Sequence, residues 1–312
     1  MRASSIGKLL FYSQEKFLVM DIEIEPDDAP RACEATIQSP LTIPSHTPKT
    51  SSERQLRGTF NEDSELYDRC RPRYPAAVFD DLVTLARIGP QSRVLEIGCG
   101  TGQATVPIAR LGCNIVAVEL EASLAAVARR NLSKFPKVEI VVSAFETWPL
   151  PTQSFNLVVA ATSFHWIDEA VRMVRAADAL EEGGTLAVIS THHINGGSEA
   201  FFTDVQRIYE LFGLAPEPRM RLPTASDIPK DTIEFVESKR FGSVTIRRYE
   251  WEATYSTREY LDLLLTYSNH RMLPKEIKEE FLSSVGKLID HKYQGRVTKR
   301  YMTQMALASR LP

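Results

Sequence analysis

Short apolar runs alternate with helical patterns through the middle of the chain. Five runs dominated by Val, Ile, Leu and Ala predict buried strands, at residues 92–98, 114–120, 138–142, 155–162 and 184–190. Helical spacing of apolar residues separates most of these runs, as it does at 167–180. This alternation is typical of a parallel sheet whose two faces are both covered by helices. The pattern therefore predicts a doubly wound α/β fold.

The pattern changes after Ser190. Residues 198–212 have helical spacing, a proline-rich stretch follows, and residues 244–255 alternate like an antiparallel strand. Ser256 and Glu259 have the spacing of a capping box at the start of a helix. Two sets of cap elements and a closing antiparallel strand are expected, at about 192–240, 256–292 and 297–308.

The N-terminal part divides into a tail and the start of a folded domain. Residues 1–56 are rich in Pro, Ser, Thr and acidic residues without a sustained period. Such a stretch buries too little apolar surface to offset its ordering entropy, so we predict a disordered tail. Residues 57–312 are expected to form one domain, which begins with N-terminal lid helices at 57–88.

Charge and composition narrow the class of partner. The 312 residues contain 37 Lys and Arg against 40 Asp and Glu, a formal net charge of −3. This balance gives no electrostatic reason to expect nucleic acid or an anionic membrane as the main partner, so a small-molecule substrate is favoured. The basic residues near the C-terminus, Arg296, Lys299 and Arg300, are interpreted as a solvated strand face.

The four cysteines have no CxxC spacing, which indicates free thiols in a reducing compartment. No apolar run approaches the roughly 18 residues that a membrane-spanning helix requires, and polar residues at 13–16 interrupt any signal-peptide core. No His, Cys, Asp or Glu residues have a convincing metal-ligand spacing. We therefore expect a cytoplasmic protein without a metal ion.

A glycine-rich loop follows the first predicted strand. The segment VLEIGCGTGQAT contains Glu96, Gly98, Gly100 and Gly102. Glycines allow the backbone to turn sharply and to approach a ligand closely, and the next helix offers free N–H groups. Glu119 ends the second strand, where this topology places a carboxylate that can accept hydrogen bonds from two ribose hydroxyls. The loop and the acid together predict a nucleoside cofactor.

Two residues distinguish between nucleoside cofactors. Gln103 stands where a dinucleotide fingerprint requires Gly or Ala, which disfavours an NAD-linked oxidoreductase. Glu96 would lie awkwardly beside a pyrophosphate but suits a ligand that carries an ammonium group. This chemistry indicates S-adenosylmethionine.

Several segments resemble the successive motifs of class I S-adenosylmethionine-dependent methyltransferases: VLEIGCGTGQAT, VAVEL, SAFETWPLP and LVVAATSFHWID. The resemblance is closest to the small-molecule branch with an HW pair after the fourth strand. YDRCRPRYP is similar to the N-terminal helix of that branch, which folds over the cofactor. The resemblance covers about residues 57–310. It implies a Rossmann-like, mostly parallel sheet of seven strands with a helical cap and an antiparallel C-terminal strand.

The resemblance also implies site residues. In the family the glycines line the methionine half of the cofactor, and the acid after the second strand holds the ribose. Many relatives have Asp after the third strand, whereas this chain has Ser143 and Glu146, so adenine recognition is expected from backbone groups and the Phe145 ring. Cofactor-binding residues are then Tyr67, Arg71, Glu96, Gly98, Gly100, Gly102, Gln103, Glu119, Leu120, Ala144, Phe145 and Ala161.

The acceptor side follows the fourth and fifth strands. His165 lies just beyond the fourth strand, which makes it the candidate general base. The alternative is a histidine tied to a neighbouring loop or backbone carbonyl. Arg71 is available for a carboxylate; the alternative is that Arg71 and Arg73 are surface charges. At most one of His192 and His193 faces the site, because neighbouring residues of an extended segment point to opposite sides. Thr162 is expected on the methyl-transfer side, and substrate contacts are predicted for Tyr74, Trp166 and His192.

The leading functional hypothesis is methyl transfer to a small-molecule oxygen, a hydroxyl or a carboxylate, in specialised metabolism. Methylation of RNA, DNA or protein is an alternative. Base-modifying enzymes usually carry a Pro-Pro-aromatic motif after the fourth strand, and this chain has ATSFHW instead. A non-catalytic S-adenosylmethionine-binding protein also stays open, because catalysis by positioning leaves no obligatory residue signature.

Overall fold

The computed structural model describes residues 63–214, 221–230 and 232–312. The predicted tail at 1–56, the first lid residues at 57–62 and Cys33 lie outside the described residues. Within these ranges, no helix is both long enough and apolar enough to cross a membrane.

Seven strands form one sheet. They are β1 Arg93–Ile97, β2 Asn114–Glu119, β3 Val138–Val142, β4 Phe155–Ala161, β5 Leu180–Ile194, β6 Thr245–Ser256 and β7 Arg296–Ser309. Their order is β3-β2-β1-β4-β5-β7-β6. Strands β1 to β5 pair in parallel, and β7 runs antiparallel to both β5 and β6. The predicted doubly wound sheet with an antiparallel C-terminal strand is confirmed.

Helices cover both faces of the parallel strands, because the central strands are apolar on both sides. The N-terminal half contributes α1 Ser64–Cys70, α2 Ala76–Ala86, α3 Thr105–Ala109, α4 Ala122–Asn131 and α5 Glu169–Ala179. On one face, Val78 and Leu82 of α2 and Ile108 of α3 pack against the sheet. On the other face, Met173 and Ala176 of α5 do so. This packing fixes the loops at the carboxyl ends of β1, β2 and β4 beside one another.

The later helices are α6 Glu199–Leu211, α7 Ile233–Glu237, α8 Thr257–Leu264, α9 Ser268–Arg271 and α10 Lys275–Lys292. Helices α6, α8 and α10 share a separate apolar core that includes Phe201, Leu263 and Phe281. Phe235 of α7 instead joins the core beneath α5. The predicted capping box of Ser256 and Glu259 is present at the start of α8.

One basic residue of β7 contradicts the predicted solvated face. Arg296 is exposed, but Lys299 is only 4% exposed. Alternation along β7 places Lys299 on the face of Tyr301, beneath the cap. Its ammonium group donates to the Tyr267 hydroxyl at 3.2 Å and lies 5.3 to 6.0 Å from the ring centres of Tyr260, Tyr267 and Tyr301. Aromatic faces, which attract cations, therefore surround this buried charge.

Candidate active site

The glycine-rich loop between β1 and α3 is pressed against the end of β4. Gly98 has a φ of +68°, and a Cβ there would lie 2.6 Å from Ser163 Cβ. The Gly98 N–H donates to Val118 O at 2.7 Å, and the Ser163 hydroxyl donates to Ile97 O. Only glycine satisfies both the left-handed backbone and this contact. Glycine at this position therefore allows the loop to pack directly against the end of β4.

Glu119 is anchored at the end of β2 by backbone groups. Its two carboxylate oxygens accept hydrogen bonds from the N–H of Gly100 at 2.8 Å and from the N–H of Glu121 at 2.9 Å. Burial raises the pKa of Glu119, and these two backbone hydrogen bonds oppose the rise. Each oxygen has a second lone pair for a further donor. The carboxylate is thus held in place with spare acceptor capacity.

Glu96 is the second acid beside the loop. It is 1% exposed, and its Oε2 has no hydrogen-bond partner within the described residues. Burial raises the pKa of Glu96 to about 7. A buried carboxyl oxygen that lacks a donor is costly unless a ligand supplies one. The arrangement suits a cationic group in the cleft.

A cleft at the carboxyl edge of the sheet brings most of the predicted residues together. Those predicted to bind the cofactor and found in its wall are Tyr67, Arg71, Glu96, Gly98, Gly100, Gln103, Glu119, Leu120, Phe145 and Ala161. Those predicted for the acceptor side and found there are Tyr74, Thr162, His165 and Trp166. Loops after β1, β2, β3 and β4 and the lid supply these residues, as expected at the mouth of a doubly wound sheet.

The structure does not bring three predicted residues to the cleft wall. Gly102 faces α4, where a Cβ would lie 3.3 Å from Leu132 Cδ1. The carbonyl of Ala144 accepts from the backbone N–H of Trp148 at 2.9 Å and so turns the chain, while Phe145 lines the cleft. His192 has its Nε2 2.9 Å from the Ser190 hydroxyl, and Ser190 is the residue that lines the wall.

His193 lies against the cap. Its ring packs edge-on against Phe202 with centres 4.5 Å apart, and it does not line the cleft. Burial lowers its pKa well below the usual value, so the imidazole is neutral. The two neighbouring histidines therefore have different surroundings, as the alternation of an extended segment requires.

The lid residue Arg71 joins the lid to the cap. Its guanidinium donates to Thr266 O at 2.8 Å and lies 4.9 Å from the ring centres of both Tyr67 and Tyr267. Arg71 is half-buried, so the alternative of a surface charge is wrong. Tyr267 thus has the Arg71 guanidinium and the Lys299 ammonium close to the same ring.

Helix α1 is also tied to the glycine-rich loop. Asp68 accepts hydrogen bonds from the Thr101 hydroxyl at 2.7 Å and from the Asn131 amide at 3.0 Å. The Asn131 amide also donates to Thr101 O at 2.9 Å, and Glu65 pairs with Arg130 of α4. We call these five residues the latch. The latch holds α1 against the loop.

Two hydroxyls meet where β4 ends. The Tyr74 hydroxyl and Thr162 Oγ1 are 2.9 Å apart. Thr162 has a φ of +56°, which is unusual for a β-branched residue. His165 and Trp166 follow on a short 3₁₀ turn, Phe164–Trp166, with their ring centres 5.1 Å apart. All four side chains line the cleft, and we call this group the acceptor end after the role that the sequence predicts for it.

The sequence analysis missed several wall residues, namely Trp251, Ser163, Ser190 and Thr191. Trp251 of β6 stacks on Tyr301, with ring centres 4.5 Å apart at 21°, and donates to the Thr303 hydroxyl at 3.0 Å. Its position in an alternating strand was visible in the sequence, but its approach to the cleft depends on the sheet order.

Comparisons with known proteins agree with this geometry. A family profile described as "Methyltransferase domain" matches residues 94–184. An uncharacterized methyltransferase of Mycobacterium tuberculosis is 26% identical over 241 residues, which cover 77% of this chain and 89% of that protein. The aklanonic acid methyltransferase DauC of a Streptomyces species is 28% identical over 148 residues, covering 45% of this chain and 67% of DauC. A protein of Anaeromyxobacter dehalogenans, described as a type II methyltransferase, superimposes with a TM-score of 0.54 at 21% identity, covering 78% of this chain and 99% of that one.

The sheet order and the likeness to the Anaeromyxobacter dehalogenans structure show the Rossmann-like fold of class I methyltransferases, and the family profile over residues 94–184 supports that class. The chain is an S-adenosylmethionine-dependent methyltransferase, and S-adenosylmethionine is its cofactor. The residues present fit this cofactor, because Glu96 has an unpartnered buried oxygen for a cation and the glycines Gly98 and Gly100 line the cleft.

Proposed function

We propose that this methyltransferase acts on an oxygen atom, a hydroxyl or a carboxylate, of a small molecule in specialised metabolism. The observation that carries this proposal is the composition of the acceptor end. Hydroxyls of Tyr74, Thr162, Ser190 and Thr191, one imidazole and the indoles of Trp166 and Trp251 line it. The acidic residues of the wall, Glu96, Glu119 and Glu121, belong to the end of β1, the end of β2 and the start of α4.

This composition favours oxygen acceptors over amines. Hydroxyl groups can donate to an acceptor oxygen, and indole faces can cover a flat or apolar body. A cationic amine would call for a carboxylate of its own, whereas Glu96, the wall carboxylate whose charge acts on Tyr74, is assigned to the ammonium group of the cofactor. The HW pair, His165 and Trp166, lines the same end, which supports membership of the small-molecule branch. DauC, whose name gives an organic acid as its substrate, supports the same class.

The cofactor end has a complementary set of groups. We assign Glu96 to the ammonium group, Glu119 to the ribose hydroxyls, and Phe145 with Ser143 to the adenine. Arg71, half-buried beside Tyr67, is suited to the carboxylate of the methionine part. When bound, the cofactor supplies a methyl group on a positively charged sulfur. The protein then contributes orientation and exclusion of water, which can lower the barrier by about 7–11 kcal/mol in favourable cases.

His165 is proposed as the general base for a hydroxyl acceptor. A carboxylate acceptor arrives without a proton at neutral pH and requires no base. Replacement of His165 by Ala should therefore lower turnover of a hydroxyl substrate at least tenfold. Near-full turnover of the variant across pH 6–9 would show that His165 is only a wall residue.

We propose a reducing compartment such as the cytoplasm as the place of action. Cys70, Cys99 and Cys113 are all free thiols, and burial raises the pKa of each, which keeps them protonated and unreactive.

The deciding experiment uses S-adenosylmethionine with a deuterated methyl group. Titration calorimetry first measures its binding to the pure protein; absence of binding by folded protein contradicts the cofactor assignment. A metabolite extract, total RNA and denatured protein are then incubated separately, and products are analysed by mass. A labelled metabolite supports the proposal. Label confined to RNA or protein overturns the small-molecule assignment, and tight binding without label in any pool indicates a non-catalytic protein.

A further inference from the structure

The backbone of Thr162 is strained at the point where β4 ends. Its φ of +56° lies in the left-handed region, where a β-branched residue is a genuine outlier. Two contacts keep it there: its N–H donates to Ile189 O at 2.7 Å, and its hydroxyl meets that of Tyr74. Strain of this kind persists only where the surroundings enforce it, and it concentrates at functional sites.

The two hydroxyls have a surplus of donors. Each carries one proton, and one of these protons makes the hydrogen bond between Tyr74 and Thr162. Within the described residues neither hydroxyl has another hydrogen-bond partner. Both residues line the cleft, so the pair retains one O–H donor for a group bound in the cleft.

Tyr74 holds its hydroxyl rigidly. Its ring packs edge-on against Phe79 of α2, with ring centres 6.1 Å apart at 83°, and joins the core that α2 shares with the sheet. Burial raises the pKa of the Tyr74 phenol, which therefore stays a neutral donor. The hydroxyl of the lid residue is consequently placed by the fold and not by a flexible side chain.

We propose that Tyr74 and Thr162 form a positioning pair for the acceptor, an inference that rests on the proposed function. The Tyr74 hydroxyl keeps Thr162 in its left-handed conformation, and the pair donates one hydrogen bond to the acceptor oxygen. This hydrogen bond selects oxygen acceptors and orients them for in-line attack on the methyl group. The pair moves no proton and forms no covalent bond.

The test compares Tyr74→Phe and Thr162→Val with the wild-type protein, using the acceptor that the labelling screen identifies. Both variants keep the shape of the side chain and lose a hydroxyl. We expect each to lower kcat/KM for the acceptor about 10- to 100-fold, and the double variant to lose no more than either single variant. The dissociation constant of S-adenosylmethionine, measured by calorimetry, should change less than threefold. Thr162→Ser, which keeps the hydroxyl, should retain most of the wild-type activity.

Tyr249→Phe is the matched control. The Tyr249 hydroxyl donates to Asp81 at 2.6 Å and does not line the cleft. This variant should lose a partly buried tyrosine hydrogen bond outside the cleft and keep its acceptor kcat/KM within a factor of two. A loss equal to that of Tyr74→Phe would show that any lost tyrosine hydroxyl has the same effect, and it would overturn the proposal.

Thr162→Gly tests the backbone strain at this position by a stability measurement that needs no acceptor. Glycine adopts a positive φ without strain, so this variant should unfold in urea at the same or a higher midpoint than Thr162→Ala. In a crystal structure of Tyr74→Phe, Thr162 should leave the left-handed region. If Thr162→Gly is less stable than Thr162→Ala, or if Thr162 keeps its φ in Tyr74→Phe, the strain argument is wrong. Failure of wild-type protein to bind S-adenosylmethionine would instead refute the proposed function.

Discussion

Gly98→Ala tests whether the contact between the glycine-rich loop and β4 requires glycine. The new Cβ would lie 2.6 Å from Ser163 Cβ, at a backbone φ of +68°. A non-glycine residue in the left-handed region costs about 1–2 kcal/mol. Overpacking of a tight contact adds about 1–3 kcal/mol. We therefore expect the free energy of unfolding to fall by about 2–5 kcal/mol in total.

Gly112→Ala is the control that separates the two contributions. Gly112 has a φ of +76°, close to that of Gly98, but no atom lies within 4 Å of the Cβ it would gain. This variant should therefore lose only the backbone contribution, about 1–2 kcal/mol. The difference between Gly98→Ala and Gly112→Ala measures the clash with Ser163.

Urea unfolding followed by circular dichroism gives both free energies, and calorimetry gives the affinity for S-adenosylmethionine. Gly98→Ala should also weaken cofactor binding at least tenfold, whereas Gly112→Ala should not. The double variant Gly98→Ala with Ser163→Gly removes the clash. Its free energy of unfolding should be about 1–3 kcal/mol higher than the sum of the two single effects predicts. If Gly98→Ala is no more destabilising than Gly112→Ala, the loop is not pressed against β4 as described.

Two further predictions concern the acids of the cleft. Glu119→Ala should weaken S-adenosylmethionine binding by about 100-fold or more, because two hydrogen bonds to a charged acceptor contribute about 1.5–3 kcal/mol each. Glu139→Ala, on the neighbouring strand β3, is the control and should leave the affinity measured by calorimetry unchanged. Burial raises the pKa of Glu96 from 4.5 to about 7. Between these two pH values the folded protein therefore binds a proton that the unfolded chain has lost. Its free energy of unfolding then falls as the pH rises through this range. Glu96→Gln should abolish this decrease in urea titrations at pH 5, 6 and 7; an identical pH dependence in both proteins would refute the assignment to Glu96.

The parallel part of the fold and the cofactor end of the site could be predicted from the sequence, because both depend on short-range patterns. The strand β1, the loop and Glu119 lie within about 25 residues, and the loop spacing itself requires a turn after a buried strand. In this region the backbone conformation requires a particular residue type: Gly98 and Gly100 both have a positive φ, which favours glycine. The motif therefore predicted most of the residues that meet in this part of the cleft.

The acceptor end depends on contacts between distant parts of the chain. Trp251 reaches the cleft because β7 is inserted between β5 and β6, which no local pattern reveals. Lys299 was misinterpreted for the same reason: composition suggested a solvated face, whereas the cap places three tyrosine rings around its ammonium group. Arg71 was assigned to the lid, but its contacts with Thr266 and Tyr267 depend on the position of the cap.

The latch has a consequence for the rate of the catalytic cycle. Tyr67 and Arg71 of the lid line the same cleft as the residues assigned to the cofactor. We therefore expect the spent cofactor to leave faster once Asp68 has separated from Thr101 and Asn131 and Glu65 has separated from Arg130. The ion pair of Glu65 and Arg130 is exposed, so dissolved salt screens and weakens it. The buried charge of Lys299 is screened much less. We expect departure of S-adenosylhomocysteine, followed by stopped-flow fluorescence, to accelerate with ionic strength in the wild-type protein and to lose that dependence in Glu65→Gln. Opening of one short helix would then control how fast the product leaves the cleft.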